Sequence, residues 1–260
     1  MSGTKNHIRS EYEIVIIGAG PAGLNACRSI LQDTPYPPSI LLVDRAVPWK
    51  RPVPCAEGVG RVGLEETVEV PNSWIRHHID KAAFHAPNGT VITYEDRSKG
   101  YILNRNRMQR DIAEQCARDG ADCLFDTRVT EVSVQAGRRR TVVFDTGAKV
   151  AARVVIDAGG PGSPFGKDEA VACKPFDLEP AYFALIENAP LTNDTVHLYV
   201  GRELAPGGYA WAFPNEGNTA NVGILVGSGF RGKVNIRSLL SSFLESRFPG
   251  CNVVRYFGGA

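Results

Sequence analysis

Residues 12–44 constrain the fold more tightly than any other part of the chain. A β-branched apolar run, YEIVII (12–17), leads into Gly18-Ala19-Gly20-Pro21-Ala22-Gly23. LNACRSILQ follows with Leu24, Ala26, Cys27, Ile30 and Leu31 at helical spacing. A second apolar run, Ile40-Leu41-Leu42-Val43, ends in Asp44. Strand, glycine-rich turn, helix, strand and acid in this order predict a βαβ unit that binds a dinucleotide. Glycines at 18, 20 and 23 permit a tight turn and let a pyrophosphate approach a helix N-terminus, and the acid can accept ribose hydroxyls. A lone GxGxxG is a weak signal; here the flanking elements and the acid stand where the binding chemistry requires them.

An acid at position 44 favours a ribose with a free 2′-hydroxyl, as in FAD or NAD, over a 2′-phosphate. The next stretch decides between the two. An NAD dehydrogenase would continue with alternating strands and helices, whereas RAVPWKRPVPCAEGVG (45–60) is a loop rich in Pro and basic residues. Such an excursion suits a flavin, whose ring extends away from the sheet and needs walls of its own. FAD is therefore the expected cofactor.

Composition narrows the remaining classes. A formal charge of +1 gives no electrostatic case for nucleic acid, and no apolar run approaches the ~20 residues that span a bilayer. The polar N-terminus has no signal-peptide core, so residues 1–10 are expected to be a flexible arm and the location cytoplasmic. The six cysteines (27, 55, 116, 123, 173 and 251) are scattered, with no metal-ligand pair, and no metal is expected.

Farther along, residues 101–121 predict a short strand and a helix closing at Gly120, with Ile112 and Cys116 inward and Arg105 just before the helix. Arg105 is either solvated or a cation reaching the cofactor's phosphates. Residues 123–157 then predict a β-meander whose basic triplet Arg138–Arg140 is a solvated hairpin tip. Its last strand, ARVVIDAGG, is continuously apolar up to Asp157 and predicts a buried parallel strand returning to the nucleotide sheet. From about 170 to 228 the pattern is a mostly antiparallel sheet, and Ile236, Leu239, Leu240, Phe243, Leu244 and Phe248 share one face of a final helix.

Within that sheet, Tyr209, Trp211 and Phe213 stand two residues apart and so share one face of a strand. Ordinary core is the plainer explanation. The framing Pro206 and Pro214 and the Gly207-Gly208 pair suit instead an edge where something approaches closely. An apolar slot that excludes water would need walls of this kind, with Tyr209 and Trp211 each offering a polar tip.

These stretches together resemble the geranylgeranyl reductase family of FAD-dependent oxidoreductases. GAGPAGL with Asp44, PCAEGVG (54–60), YILNR…DGA (101–121) and PGGYAWAFP (206–214) followed by NVGI carry the resemblance, the last fitting PxxYxWxFP. It implies an α/β fold: a Rossmann-like FAD-binding domain of the glutathione-reductase or aromatic-hydroxylase type with a β-rich substrate domain. The expected division is an arm at 1–10, an FAD-binding domain at 11–168 with an inserted loop and β-meander, and an antiparallel-sheet substrate domain at 169–260. Implied FAD contacts are Gly18, Gly20, Ala22, Gly23, Asp44, Arg45, Cys55, Ala56, Gly58, Arg105, Val129 and Asp157. The implied substrate pocket is lined by Tyr209, Trp211 and Phe213.

The activity so implied is reduction of isolated C=C bonds in a prenyl substrate by hydride from reduced flavin, with NAD(P)H or ferredoxin as external electron donor. The candidate proton donors are Cys55, Tyr209 or a water, and Cys55 could instead shape its loop against the flavin. A prenyl-lipid substrate would bring the chain to a membrane surface as a peripheral partner, although no amphipathic anchor stands out. Three departures qualify the resemblance. Arg105-Asn-Arg-Met108-Gln109 stands where the family usually has Arg-x-x-Phe-Asp. Asp157-Ala-Gly159-Gly160 lacks a second acid, and the chain stops at YFGGA where the family continues; either a fragment or a short natural variant with an incomplete FAD site is implied, and the fragment is the expectation. The rival readings are a flavin-dependent monooxygenase or halogenase on the same scaffold, and a non-catalytic flavin- or nucleotide-binding fragment.

Overall fold

The computed structural model describes residues 8–134, 139–165 and 178–259. They form two compact units: residues up to Pro52 with those from Asn106 to 165, and Val53–Arg105 with those from 178 onward.

The first unit opens with β1 (Glu11–Ile17), α1 (Pro21–Asp33) and β2 (Ile40–Val43). The chain then leaves for the second unit, forming β3 (Gly58–Gly60), α2 (Arg61–Glu65), β4 (Ile75–His85) and β5 (Val91–Leu103). It returns through α3 (Arg105–Arg118), β6 (Asp122–Leu124), β7 (Val129–Val134), β8 (Arg140–Phe144) and β9 (Lys149–Asp157). Among the described residues the first unit's sheet runs β6-β2-β1-β9-β8-β7. β1 lies parallel to both β2 and β9, and β2 parallel to β6. All four residues of β2 are buried, as are Val15 and Ile16 of β1, because a central parallel strand is covered on both faces. Pro21 starts α1, where a missing N–H costs nothing, and Leu24, Cys27 and Leu31 form its buried face. Gly120 follows α3 at φ +110°, the left-handed geometry expected of a residue that ends a helix.

Several expectations need correction here. β9 does return parallel to β1, but Val154 is 49% exposed, so that strand is not covered on both faces. β6 pairs with β2 and stands outside the meander, which comprises β7, β8 and β9. The end of the supposed arm is tied down: Arg9 approaches Asp122 at 3.3 Å, and Ser10 O accepts a hydrogen bond from Ala151 N. Residues 1–7 lie outside the described residues. Of the basic triplet, Arg139 pairs with Glu11 and Arg140 Nη1 donates to Arg153 O at 3.3 Å; Arg138 lies outside the described residues. So do Cys173 and the boundary expected at 168/169.

The second unit adds β10 (Ala181–Glu187), β11 (Thr195–Tyr199), β12 (Tyr209–Pro214), β13 (Thr219–Leu225), α4 (Ile236–Arg247) and β14 (Asn252–Gly259). Among the described residues its sheet runs β14-β10-β13-β12-β11-β4-β5-β3. All neighbours are antiparallel except β11 and β4, which run parallel from Thr195↔Lys81 to Tyr199↔His85. Residues 53–105 thus extend the second sheet and do not belong with the nucleotide-type sheet. β11 supplies the backbone partners that β4 would otherwise lack. α4 covers one face, packing Leu240, Phe243 and Leu244 against Ala184, Ala210, Ala212, Val222 and Ile224. Burying each such Leu or Phe contributes about 1.5–3 kcal/mol. Asn235 caps this helix, its side-chain oxygen accepting from Arg237 N and Ser238 N.

Candidate functional site

In the first unit a cleft of about 340 Å³ opens beside the glycine-rich turn, lined by Gly18, Asp44, Arg45, Val129, Gly159 and Ser163 among others. The three glycines differ in their surroundings. Gly18 has φ +99°, and a Cβ there would sit 2.4 Å from Ala158 O. A Cβ on Gly23 would sit 1.9 Å from Gly18 O, so α1 can pack this close only with glycine at that position. Gly20 would meet nothing within 4 Å, which leaves open backbone for a ligand to approach.

Asp44 accepts from Ala19 N at 2.7 Å and from Ala46 N at 2.9 Å. A carboxylate offers about four lone-pair sites, so two remain for hydroxyl donors from the cleft. Ala22 is exposed in the first turn of α1, where backbone N–H groups have no partner within the helix. Asp157 does not line the cleft. It accepts from Gly159 N at 3.0 Å and from Ser163 Oγ at 2.7–2.8 Å, closing the loop that does.

In the second unit the PCAEG loop is held from several sides. Cys55 Sγ accepts from Glu57 N at 3.3 Å and from Arg105 Nη1 at 3.5 Å. Glu57 sits at φ +64°, a conformation that costs of order 1–3 kcal/mol for a residue other than glycine. Its carboxylate pairs with Arg76 and accepts from Arg105 N at 3.1 Å, and its carbonyl accepts from Leu103 N. Ala56 is half-buried inside this loop. The Phe213 ring lies on Gly58, 2.9 Å from where a Cβ would be. Asn221 ties the loop to the aromatic strand, accepting from Trp211 Nε1 at 2.8 Å and donating to Cys55 O at 3.1 Å.

Tyr209, Trp211 and Phe213 share one face of β12, as their spacing predicts. Yet β12 is an interior strand between β11 and β13. What approaches the Gly207-Gly208 pair closely is Phe230 and the end of β13, not an open edge. A groove of about 390 Å³ runs along this face, lined by Tyr209, Phe213, Val59, Ile79, Ile102 and Val196 among others, with Asp80, Lys81, Asp96 and Lys99 also on its lining. Trp211 is not among its lining residues; it is 5% exposed and packs on Gly223 and Phe183. Two other groove tyrosines are committed, Tyr94 to Asp96 at 3.1 Å and Tyr101 to Glu65 at 2.5 Å.

Three supporting residues escape a reading of the chain alone. Glu57 sits inside a quoted motif with nothing to mark its backbone. Arg76 carries no local signal. Asn221 shows itself only as a polar residue within the apolar run ANVGIL. Among the described residues no helix is long and apolar enough to cross a membrane, and no three His, Cys, Asp or Glu side chains cluster as metal ligands.

Two family models tile the chain. "Lycopene cyclase protein" matches residues 13–176 and "Geranylgeranyl reductase catalytic domain" matches 177–260. The digeranylgeranylglycerophospholipid reductase of Methanosarcina acetivorans is 33% identical over 95% of this chain and 63% of its own length. The chain belongs to the geranylgeranyl reductase family of FAD-dependent oxidoreductases. A second family member, the digeranylgeranylglycerophospholipid reductase of Methanosphaerula palustris, is also 33% identical, over 97% of this chain and 65% of the relative. The chain therefore spans a little under two thirds of the length of these relatives. Among solved structures, a geranylgeranyl bacteriochlorophyll reductase-like protein from Thermoplasma acidophilum superimposes with a TM-score of 0.84 at 24% identity, covering 96% of this chain and 66% of that one. The halogenase PltM, solved with phloroglucinol and FAD, gives 0.72 at 15%, covering 95% and 60%. At such identities the likeness speaks for the fold, which is the α/β flavoprotein fold expected of the family.

Proposed function

We propose that this chain is the FAD-binding and catalytic part of an oxidoreductase that reduces isolated C=C bonds of a prenyl substrate. The groove beside Tyr209 and Phe213 supports this reading: these two residues and Val196 lie in the stretch that matches the reductase catalytic domain, and the rest of the lining comes from residues 58–102. In the first unit we assign the adenosine and pyrophosphate of FAD to Gly18, Gly20, Ala22, Gly23, Asp44, Arg45 and Val129, with Asp157 shaping their loop. In the second unit we assign further FAD contacts to Cys55, Ala56, Gly58 and Arg105. Open backbone at Gly20 and the two spare acceptor sites of Asp44 fit the group.

Once reduced by an external donor such as NAD(P)H or ferredoxin, FAD supplies the hydride that one alkene carbon takes up. The other carbon needs a proton, since an isolated alkene cannot hold a carbanion. Tyr209 is the groove tyrosine whose hydroxyl is not committed to a carboxylate, and we assign it this role. Cys55, whose sulfur accepts hydrogen bonds from Glu57 N and Arg105 Nη1, is the second candidate. The groove's apolar walls hold the prenyl chain and exclude water from the reacting centre. A prenyl-lipid substrate places the reaction at a membrane surface reached peripherally from the cytoplasm.

The dialysed chain should show visible flavin bands at close to one FAD per chain. After anaerobic reduction, a prenyl alkene should reoxidise it. Tyr209→Phe should slow that step about 10²–10⁴-fold with FAD content unchanged, whereas loss of FAD would assign Tyr209 to the cofactor instead. Oxygen uptake with NAD(P)H and no alkene reduction would favour the monooxygenase or halogenase alternative. A chain that stays colourless and refuses added FAD would leave the non-catalytic fragment.

A further inference from the structure

A second cavity, of about 530 Å³, lies in the second unit and is lined by His85, Tyr199, Arg202, Glu203, Ser246 and Arg247, among others. Tyr199 pairs with Ala210, and His197 with Ala212, so these side chains share the face covered by α4, opposite the Tyr209–Phe213 row. Tyr199 confirms that side by packing edge-on against Phe243 at 4.9 Å. The groove and this cavity are therefore separate sites on the two faces of one sheet.

The cavity's polar groups form an ordered set. His85 Nε2 and His197 Nδ1 are 3.0 Å apart, and the His85 ring stacks on Tyr199 at 4.2 Å and 15°. The guanidinium of Arg247 lies 5.9 Å over the same tyrosine ring. Among the described residues neither Arg202 nor Arg247 has a carboxylate within ion-pair distance; Glu203, beside Arg202 on the same rim, is the one acidic side chain lining the cavity. Two planar guanidiniums without carboxylate partners present several N–H donors to one space. The bond to His197 leaves Nδ1 as the nitrogen of His85 not so engaged. Donors in this number suit an oxyanion with several acceptor oxygens, and guanidinium geometry matches phosphate in particular.

We propose that this cavity binds a phosphate group through Arg202, Arg247 and His85. Burial and the nearby Arg247 both hold the imidazole of His85 below its ordinary range, and burial with His85 does the same for His197, on which Asp194 acts in the opposite sense. A bound dianion would oppose the Arg247 effect and favour the imidazolium. Phosphate binding should therefore appear as a change in the titration of His85.

The test follows the imidazole of His85 by NMR in the 260-residue chain as inorganic phosphate is added, with chloride balancing ionic strength. Saturable binding that raises its titration midpoint by about 1 pH unit supports the site, as does loss of that shift in Arg247→Gln and Arg202→Gln with backbone spectra otherwise unchanged. If inorganic phosphate is inert, vesicles of phosphatidylcholine containing phosphatidic acid are compared with phosphatidylcholine alone; a shift confined to the former identifies a lipid headgroup as the source. No shift with either form, the same shift with chloride, or a shift that survives both substitutions overturns the proposal.

Discussion

Gly223 carries no side chain because the Trp211 ring fills the space one would need. A Cβ there would lie 2.3 Å from that ring and 2.4 Å from Phe183 Cβ, in the interior of β13 where neither neighbour can retreat. Gly223→Ala should cost at least the ~1–3 kcal/mol typical of overpacking, read as a fall in urea midpoint with an unchanged slope. Asn221, 4% exposed, is a second pivot. Replacing it with Leu strands the buried indole N–H of Trp211 and the Cys55 carbonyl, and about 1–3 kcal/mol per stranded group should be lost in the same measurement. The chain announces some of these residues and conceals others. Glycines at 18, 20 and 23 are legible because each answers a local demand of a short turn. Glu57 at positive φ and its pairing with Arg76 are not, because the demand arises only when residues distant in sequence meet.

At the scale of elements, the aromatic row on β12 was legible because side chains alternate along a strand with period two whatever surrounds it. Its depth was not legible, since an interior strand and an edge strand carry the same alternation. β4 was harder still: IRHHIDKAAFH lacks a clean alternation, and its partner β11 lies far along the chain. The two histidines on this strand pair give a prediction of their own. His85 and His197 are held below the ordinary imidazole range by burial first of all. In the unfolded chain they take up protons near pH 6.5, so between that value and their lower folded values the unfolded state binds more protons. Stability should be full above about pH 6.5 and fall as the pH drops below it. Urea midpoints between pH 7.5 and pH 5 (roughly the window set by those imidazoles) should show this slope, and His85→Asn with His197→Asn should flatten it.

At the scale of the molecule, the βαβ start and the family resemblance made the fold class legible, whereas the division into units was not. Local pattern can announce that the chain leaves the first sheet after Asp44. It cannot announce that residues 53–105 complete another sheet, since that depends on hydrogen bonds to strands not yet reached in sequence. If the first unit holds the adenosine end of FAD, ADP should slow amide exchange in β1, in the Gly18–Gly23 turn and at the start of β7, and leave β10 to β13 unchanged. Protection spread over both units, or absent from the turn, would count against that assignment.

The parallel pairing of β4 with β11 also bears on how the chain is made. At about 5–20 residues per second, β4 and β5 leave the ribosome on the order of ten seconds before the strand that β4 pairs with. Until then β4 has an open hydrogen-bonding edge, and Phe84, Ile92 and Tyr94, each 41–66% exposed even in the finished fold, stand beside it. An unpaired edge flanked by apolar side chains invites pairing with another nascent chain. Residues 75–103 are thus a stretch of the growing polypeptide exposed to mispairing until β11 is made.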